Sequence, residues 1–170
     1  MQDSVPSFER NQLTVSGRPL QVTRMGETLR FEARLKASFV CTSDRNQYGD
    51  AESMLFTFSD RGPHADLVAA LRKIDTAVDS YSQLQGASEY VPLVRPYKPG
   101  LVSLKIRVDK SMEILGPGAT EQDPHHVPLS YVKKGDVLDV AFRVRSIYNW
   151  SGTWGLMAHA DIVSYPAKAT

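Results

Sequence analysis

From Leu29 to Phe39, apolar and polar residues alternate almost one by one: Leu29, Phe31, Ala33, Leu35, Ala37 and Phe39 are separated by Arg30, Glu32, Arg34 and Lys36. A period of two belongs to a strand with one face in a core and the other in water. Met54-Leu-Phe-Thr-Phe58 reads as a second strand. The turn-rich residues 42–50 join the two and would present Arg45 and Tyr48. After Pro63 the period changes: Leu67, Leu71, Ile74, Val78 and Tyr81 are spaced four, three, four and three, the stripe of an amphipathic helix with Pro63 acceptable in its first turn. Pro92, Pro96 and Pro99 make residues 86–100 extended and stiff, unable to supply a central strand. Alternation returns from Leu101 to Val108, with Val102, Leu104, Ile106 and Val108 on one face and Ser103, Lys105 and Arg107 on the other. Residues 115–128, rich in Gly and Pro, read as a long loop. Two last alternating runs begin at Gly135-Asp136 and are joined by a turn of Gly, Asn and Ser. A short extra strand is expected within residues 12–22, and the chain from Tyr165 on looks unstructured.

Two strands, a helix, then three strands describe a mostly β protein. The expected architecture is an OB-like barrel of five or six strands with one helix inserted mid-chain, a β-sandwich being the alternative. A length of 170 residues fits one domain, set at residues 1–165 with 166–170 as a disordered tail. The content of 42% hydrophobic and 23% charged residues is that of a chain able to fold. A net charge of +1 defines no electrostatic class, so an anion-binding surface would need local segregation of charge. Residues 86–110 show it, with Arg95, Lys98, Lys105, Arg107 and Lys110 against Glu89 and Asp109. The lone Cys41 cannot form an internal disulfide and reads as a small buried residue, which suits a reducing compartment. No run approaches the ~18 apolar residues of a membrane span, and the first residues do not form a basic-then-apolar leader. The expected location is therefore cytoplasmic, or nuclear in a eukaryotic host, without a membrane partner.

The closing hairpin carries the clearest chemistry. Arg143, Arg145, Tyr148, Trp150 and Trp154 crowd around its turn, and cations beside flat rings suit a single-stranded nucleic acid, whose phosphates need charge and whose unpaired bases need a surface to stack on. Trp150, next to Ser151-Gly152, is the better stacking platform. Trp154 shares parity with Leu156, Ala158, Ala160 and Ile162, so a core position is an equal reading. Arg143 and Arg145 oppose the parity of Leu138, Val140, Phe142 and Val144 and should project outward together; if the Lys105 and Arg107 strand is their neighbour, four cations line one phosphate track. Arg95, Tyr97 and Lys98 repeat the pairing of cation and ring. Catalytic and metal signals are weak. His125 and His126 are adjacent in a loop, and neither His64 nor His159 completes a ligand set. Neither a phosphate-cradling Gly-x-x-x-x-Gly-Lys loop nor a Gly-x-Ser-x-Gly elbow occurs. No metal or other cofactor is expected.

Gly135-Asp136, the alternating Val-Leu-Asp-Val-Ala-Phe-Arg-Val that follows, the aromatic and Asn turn, and Gly-x-Trp-Gly-Leu-Met-Ala with its final Ile-Val resemble the phage- and virus-type single-stranded DNA-binding proteins with an OB fold. The match covers roughly the last thirty-five residues, about a fifth of the chain. It implies sequence-tolerant, non-catalytic binding of single strands in replication, recombination or repair. Only Arg143, Arg145, Tyr148, Trp150 and Trp154 lie in the matching segment. Many such proteins end in an acidic tail that recruits partners, whereas this sequence ends in Pro166-Ala-Lys-Ala-Thr170, which puts recruitment by that route in doubt. DNA and RNA are both open, since stacking is common to the two. The rival reading is a structural or adaptor β-sandwich whose aromatic hairpin mediates self-association or partner binding. A third is a hydrolase or nuclease using His125 or His126.

Overall fold

The computed structural model describes residues 3–41, 51–109 and 111–167. Its elements in chain order are β1 (Leu13–Ser16), β2 (Gln21–Arg24), β3 (Leu29–Cys41), β4 (Ala51–Ser59), α1 (Ala65–Leu84), β5 (Glu89–Val91), β6 (Val94–Lys98), β7 (Leu101–Asp109), β8 (Ile114–Leu115), β9 (His126–Val127), β10 (Val137–Trp150) and β11 (Thr153–Ser164). Each long alternating run of the sequence has become a long strand, and the five long strands close into a ring. β3 pairs with β4, β4 with β7, β7 with β11, β11 with β10, and β10 with β3 again. Every pairing in the ring is antiparallel except that of β7 with β11. Parallel neighbours cannot be joined by a tight turn, and the chain duly travels through β8, β9 and β10 between them. One ring with a helix after its second strand is the OB-like arrangement, and the two facing sheets of a sandwich are not what these pairings make.

The inner face of the ring is the apolar face of the sequence pattern. Phe31, Leu35, Phe56, Leu104, Ile106 and Phe142 are fully buried, and Phe31 stacks on Phe142 with ring centroids 5.2 Å apart. Burying side chains of this size contributes roughly 1.5–3 kcal/mol each. The stripe on α1 adds Leu67, Leu71, Ile74 and Val78 to the same core. Pro63 sits one turn earlier than expected, in a 3-10 turn (Gly62–His64) leading into the helix. The helix also buries a carboxylate, Asp75. It accepts hydrogen bonds from the Tyr90 hydroxyl at 2.7 Å, Leu93 N–H at 2.8 Å and Val94 N–H at 3.2 Å, which fastens the segment between β5 and β6 to the helix.

The stiff segment after the helix does make strands, but only at edges: β5 pairs with the first residues of β11, and β6 with the first half of β7, where Pro96 lies opposite Val102. Residues 12–22 hold β1 and the start of β2 instead of one extra strand. The long loop is pinned at its base by the two-residue pairing of β8 with β9. Tyr165 is not loose: its N–H donates to the Leu115 carbonyl at 2.9 Å and its hydroxyl to Asp136 Oδ2 at 2.6 Å. The expected 42–50 turn with Arg45 and Tyr48, the burial of Cys41 and the last three residues of the tail lie outside what is described.

Candidate nucleic-acid interface

The β10–β11 hairpin reverses through Ser151 and Gly152, with φ of 51° and 87°. Two central residues at positive φ make the turn that matches the twist of a two-residue hairpin. Gly152 is needed twice over, since a Cβ there would stand 2.8 Å from Ser88 Oγ. That close approach comes from Ser88, whose N–H and hydroxyl both donate to the Gly152 carbonyl, at 3.0 and 3.1 Å. The tip is further held by Asn149 Oδ1, which accepts from Gly152 N–H at 3.2 Å.

Two bulges sort the hairpin's side chains. On β10, Val144 lies opposite Ala158 and Ser146 opposite Met157, so Arg145 is an extra residue. Leu138, Val140, Phe142 and Val144 point inward, and unbroken alternation would send Tyr148 and Trp150 inward after them. The extra residue reverses the parity. Ile147 packs on the core instead, and Tyr148 and Trp150 emerge on the outer face, Trp150 with 74% of its surface exposed. On β11 the extra residue is Asp161, between the pairs Ala141–Ile162 and Phe142–Ala160. Hence Ile162, which simple parity grouped with the inward residues, is 58% exposed, and Val163 is buried in its place.

The outer face gathers most of the expected cations, although not as a pair of neighbouring strands. β7 borders β11 and not β10, so Lys105 and Arg107 are separated from Arg143 by the width of one strand. Across the ring, Arg30 on β3 stands opposite Arg143 on β10, Arg143 opposite His159 on β11, and His159 beside Arg107 on β7. Lys105 lies two residues before Arg107 and is exposed. Among the described residues, neither Lys105 nor Arg107 is ion-paired, whereas Arg143 and Arg30 share Asp161 at 3.6 and 3.7 Å. Arg145 is exposed and leans to the other side of β10, its Nε donating to Gln21 Oε1 at 2.9 Å.

Arg95 on β6 lies opposite Ser103 and is exposed. It joins the cluster through Tyr148, whose phenol is pushed up mainly by burial while Arg95 and Arg107 pull it down and Glu89 pushes it up. The Tyr148 ring lies directly over Gly155, where any Cβ would collide with it. Tyr97, half-exposed, and Lys98, whose Nζ is 5.4 Å from the Tyr97 ring centre, stand near the β6–β7 turn, about six residues along β7 from Arg107. At ~3.3 Å per strand residue that is ~20 Å from the Arg107 row. Trp154 is not with the others. It is 8% exposed and meets the Tyr81 ring of α1 edge-on at 6.1 Å, an inward packing position.

The sequence reading did not single out Arg30, His159, Asp161 or Gly155 as part of this face. His159 had a usable signal, because it opposes the parity of Leu156, Ala158 and Ala160. Arg30 had only an outward position on a remote strand. Asp161 and Gly155 matter through register, which one strand by itself does not reveal.

A ring of this order has the fold of phage single-stranded DNA-binding proteins of known structure. The structure of gp2.5, a single-stranded DNA-binding protein encoded by bacteriophage T7, is similar with a TM-score of 0.56 over 84% of this chain and 88% of that one, at 15% identity. The single-stranded DNA-binding protein from bacteriophage Enc34, solved in complex with ssDNA, is similar with a TM-score of 0.53 over 98% of this chain and 96% of that one, at 9% identity. Its C-terminal truncation reaches 0.52 over 93% and 96%, at 12% identity. No family model matches the sequence, and no curated protein does.

Proposed function

We propose that this protein binds single-stranded DNA with little preference for base sequence, by contact alone and without catalysis, in replication, recombination or repair. The observation that carries the reading is the β10 bulge, which turns Tyr148 and Trp150 out onto the face that also presents Arg95, Lys105, Arg107 and Arg143. Outward rings beside cations, of which Lys105 and Arg107 have no ion-pair partner among the described residues, serve both halves of a single strand, the bases and the phosphates. The likeness in fold to phage proteins that bind single strands supports the same reading. Tyr97 and Lys98 extend the track along β6, and Arg145 flanks it from the β2 side. Trp154 acts from within as packing.

The test is titration with oligo-dT at several salt concentrations, read by tryptophan fluorescence. Trp150 is exposed and Trp154 is not, so quenching should come from Trp150 and disappear in Trp150→Phe. Affinity should fall steeply as salt rises, with log K falling by ~0.7 per decade of salt for each phosphate engaged. Absence of binding at low salt would sink the proposal.

A further inference from the structure

His159 occupies the middle of the cross-strand row, with Arg143 opposite it on β10 and Arg107 beside it on β7. Neighbouring strands lie ~4.8 Å apart, so the two arginine positions are ~10 Å apart with the imidazole between them, a gap one phosphate can fill. The other charged or titratable groups around it are Asp161 two residues along β11, Lys105 two residues back and Asp109 two residues on along β7, Tyr148 farther along β10, and Arg30 one strand beyond Arg143. Of the two acids, Asp161 is shared between Arg30 and Arg143, and Asp109 accepts hydrogen bonds from the Ser111 N–H and hydroxyl.

We propose that His159 forms, with Arg107 and Arg143, a subsite for one backbone phosphate of the single strand, and that this phosphate is bound together with a proton taken from solvent onto the imidazole. The inference rests on the reading of this face as a single-strand site. In the free protein the surroundings favour the neutral ring. Its half-buried position lowers its affinity for a proton, Arg107 and Arg143 lower it further, and Asp161 opposes them. A phosphodiester between the two guanidinium groups weakens that local field, because its negative charge offsets part of theirs and stands against the ring itself. The imidazolium then gains a charge-assisted hydrogen bond that the neutral ring would make less strongly. No covalent bond changes; one proton moves from water to nitrogen.

The experiment uses the full chain and oligo-dT. The His159 ring is followed by NMR as pH is varied, free and saturated with oligo-dT at low salt, and affinity is measured from about pH 8 to about pH 5.5 for the natural protein and for His159→Gln. Expected is a ring that titrates below the ordinary histidine range when free and moves up when bound. Affinity should rise as pH falls between those two values, by up to about tenfold per pH unit for a single proton. His159→Gln should flatten that response. Identical ring titrations with and without oligo-dT, or an unchanged pH response in the variant, overturn the subsite. If the variant does not fold, the ring titration of the natural protein decides alone. Salt-sensitive binding with an unmoved His159 would leave the DNA-binding reading standing and remove this one, whereas no binding at any pH removes both.

Discussion

Trp150 and Trp154 are four residues apart and differ in surroundings as much as two tryptophans can, one exposed on a turn and one enclosed against Tyr81. Truncating them should separate binding from stability. Trp150→Ala should leave thermal unfolding unchanged and cost about 1–3 kcal/mol in oligo-dT affinity, the worth of one stacked base. Trp154→Ala should cost roughly 3–5 kcal/mol of stability in urea unfolding, the usual range for a buried tryptophan. Equal losses of stability in both variants would contradict the division. The exposure of Trp150 could be read from its place before Ser151-Gly152. The burial of Trp154 could be read only as one of two options, since parity named a side without saying what lay there. Its partner, Tyr81, comes from a helix seventy-three residues away in the chain.

The elements themselves were legible because alternation and helical spacing are local properties. β3, β4, β7 and α1 lie where the pattern puts them. The bulges were not legible, because an extra residue is defined by what stands opposite it on another strand. Arg145 looks in the sequence like one more outward residue of β10. In the ring it is the residue that decides the side on which Tyr148 and Trp150 emerge. Removing its side chain and removing the residue should both leave Tyr148 and Trp150 on that side. Arg145→Ala keeps the count of residues, and its unfolding midpoint should stay near that of the natural protein. Deleting residue 145 removes the bulge and joins Val144 to Ser146 by plain alternation, with Ser146 still opposite Met157, so Ile147 stays inward and Tyr148 outward. Oligo-dT binding and its quenching of Trp150 should therefore survive the deletion, and loss of both would show that the bulge itself is needed for the site. The hairpin tip makes a similar demand on one residue: Gly152→Ala places a Cβ against Ser88 at positive φ and should cost on the order of 1–3 kcal/mol.

A net charge of +1 conceals how the molecule distributes its charge, with Arg30, Arg107 and Arg143 in one row and, among the described residues, one acid, Asp75, drawn inside. Asp75→Ala would leave Leu93 N–H and Val94 N–H without their partner, at a cost of at least about 2 kcal/mol in thermal or urea unfolding. At the opposite end of the chain, the hydroxyl of Tyr165 holds the carboxyl of Asp136 below the usual range, helped by Lys133 N–H. A carboxyl lowered in the folded state stabilises it above the unfolded pKa, near ~4, and that contribution is lost as pH falls below it. Melting curves should show Tyr165→Phe less stable than the natural protein at neutral pH, with the gap closing in acid; a gap that persists unchanged at about pH 2 would show that Asp136 is not the cause. The sequence alone was enough to determine where the long strands and the helix lie, which face of most of them is apolar, and that cations and rings accumulate near the last hairpin. These follow from periodicity, and periodicity is written in neighbouring residues. Closure of the ring decided the rest: that β11 stands between Arg143 and Arg107, that His159 and Arg30 complete their row, and that an extra residue at 145 turns two aromatics outward. Each of these depends on register between strands remote in the chain, a quantity that packing sets and no single segment contains.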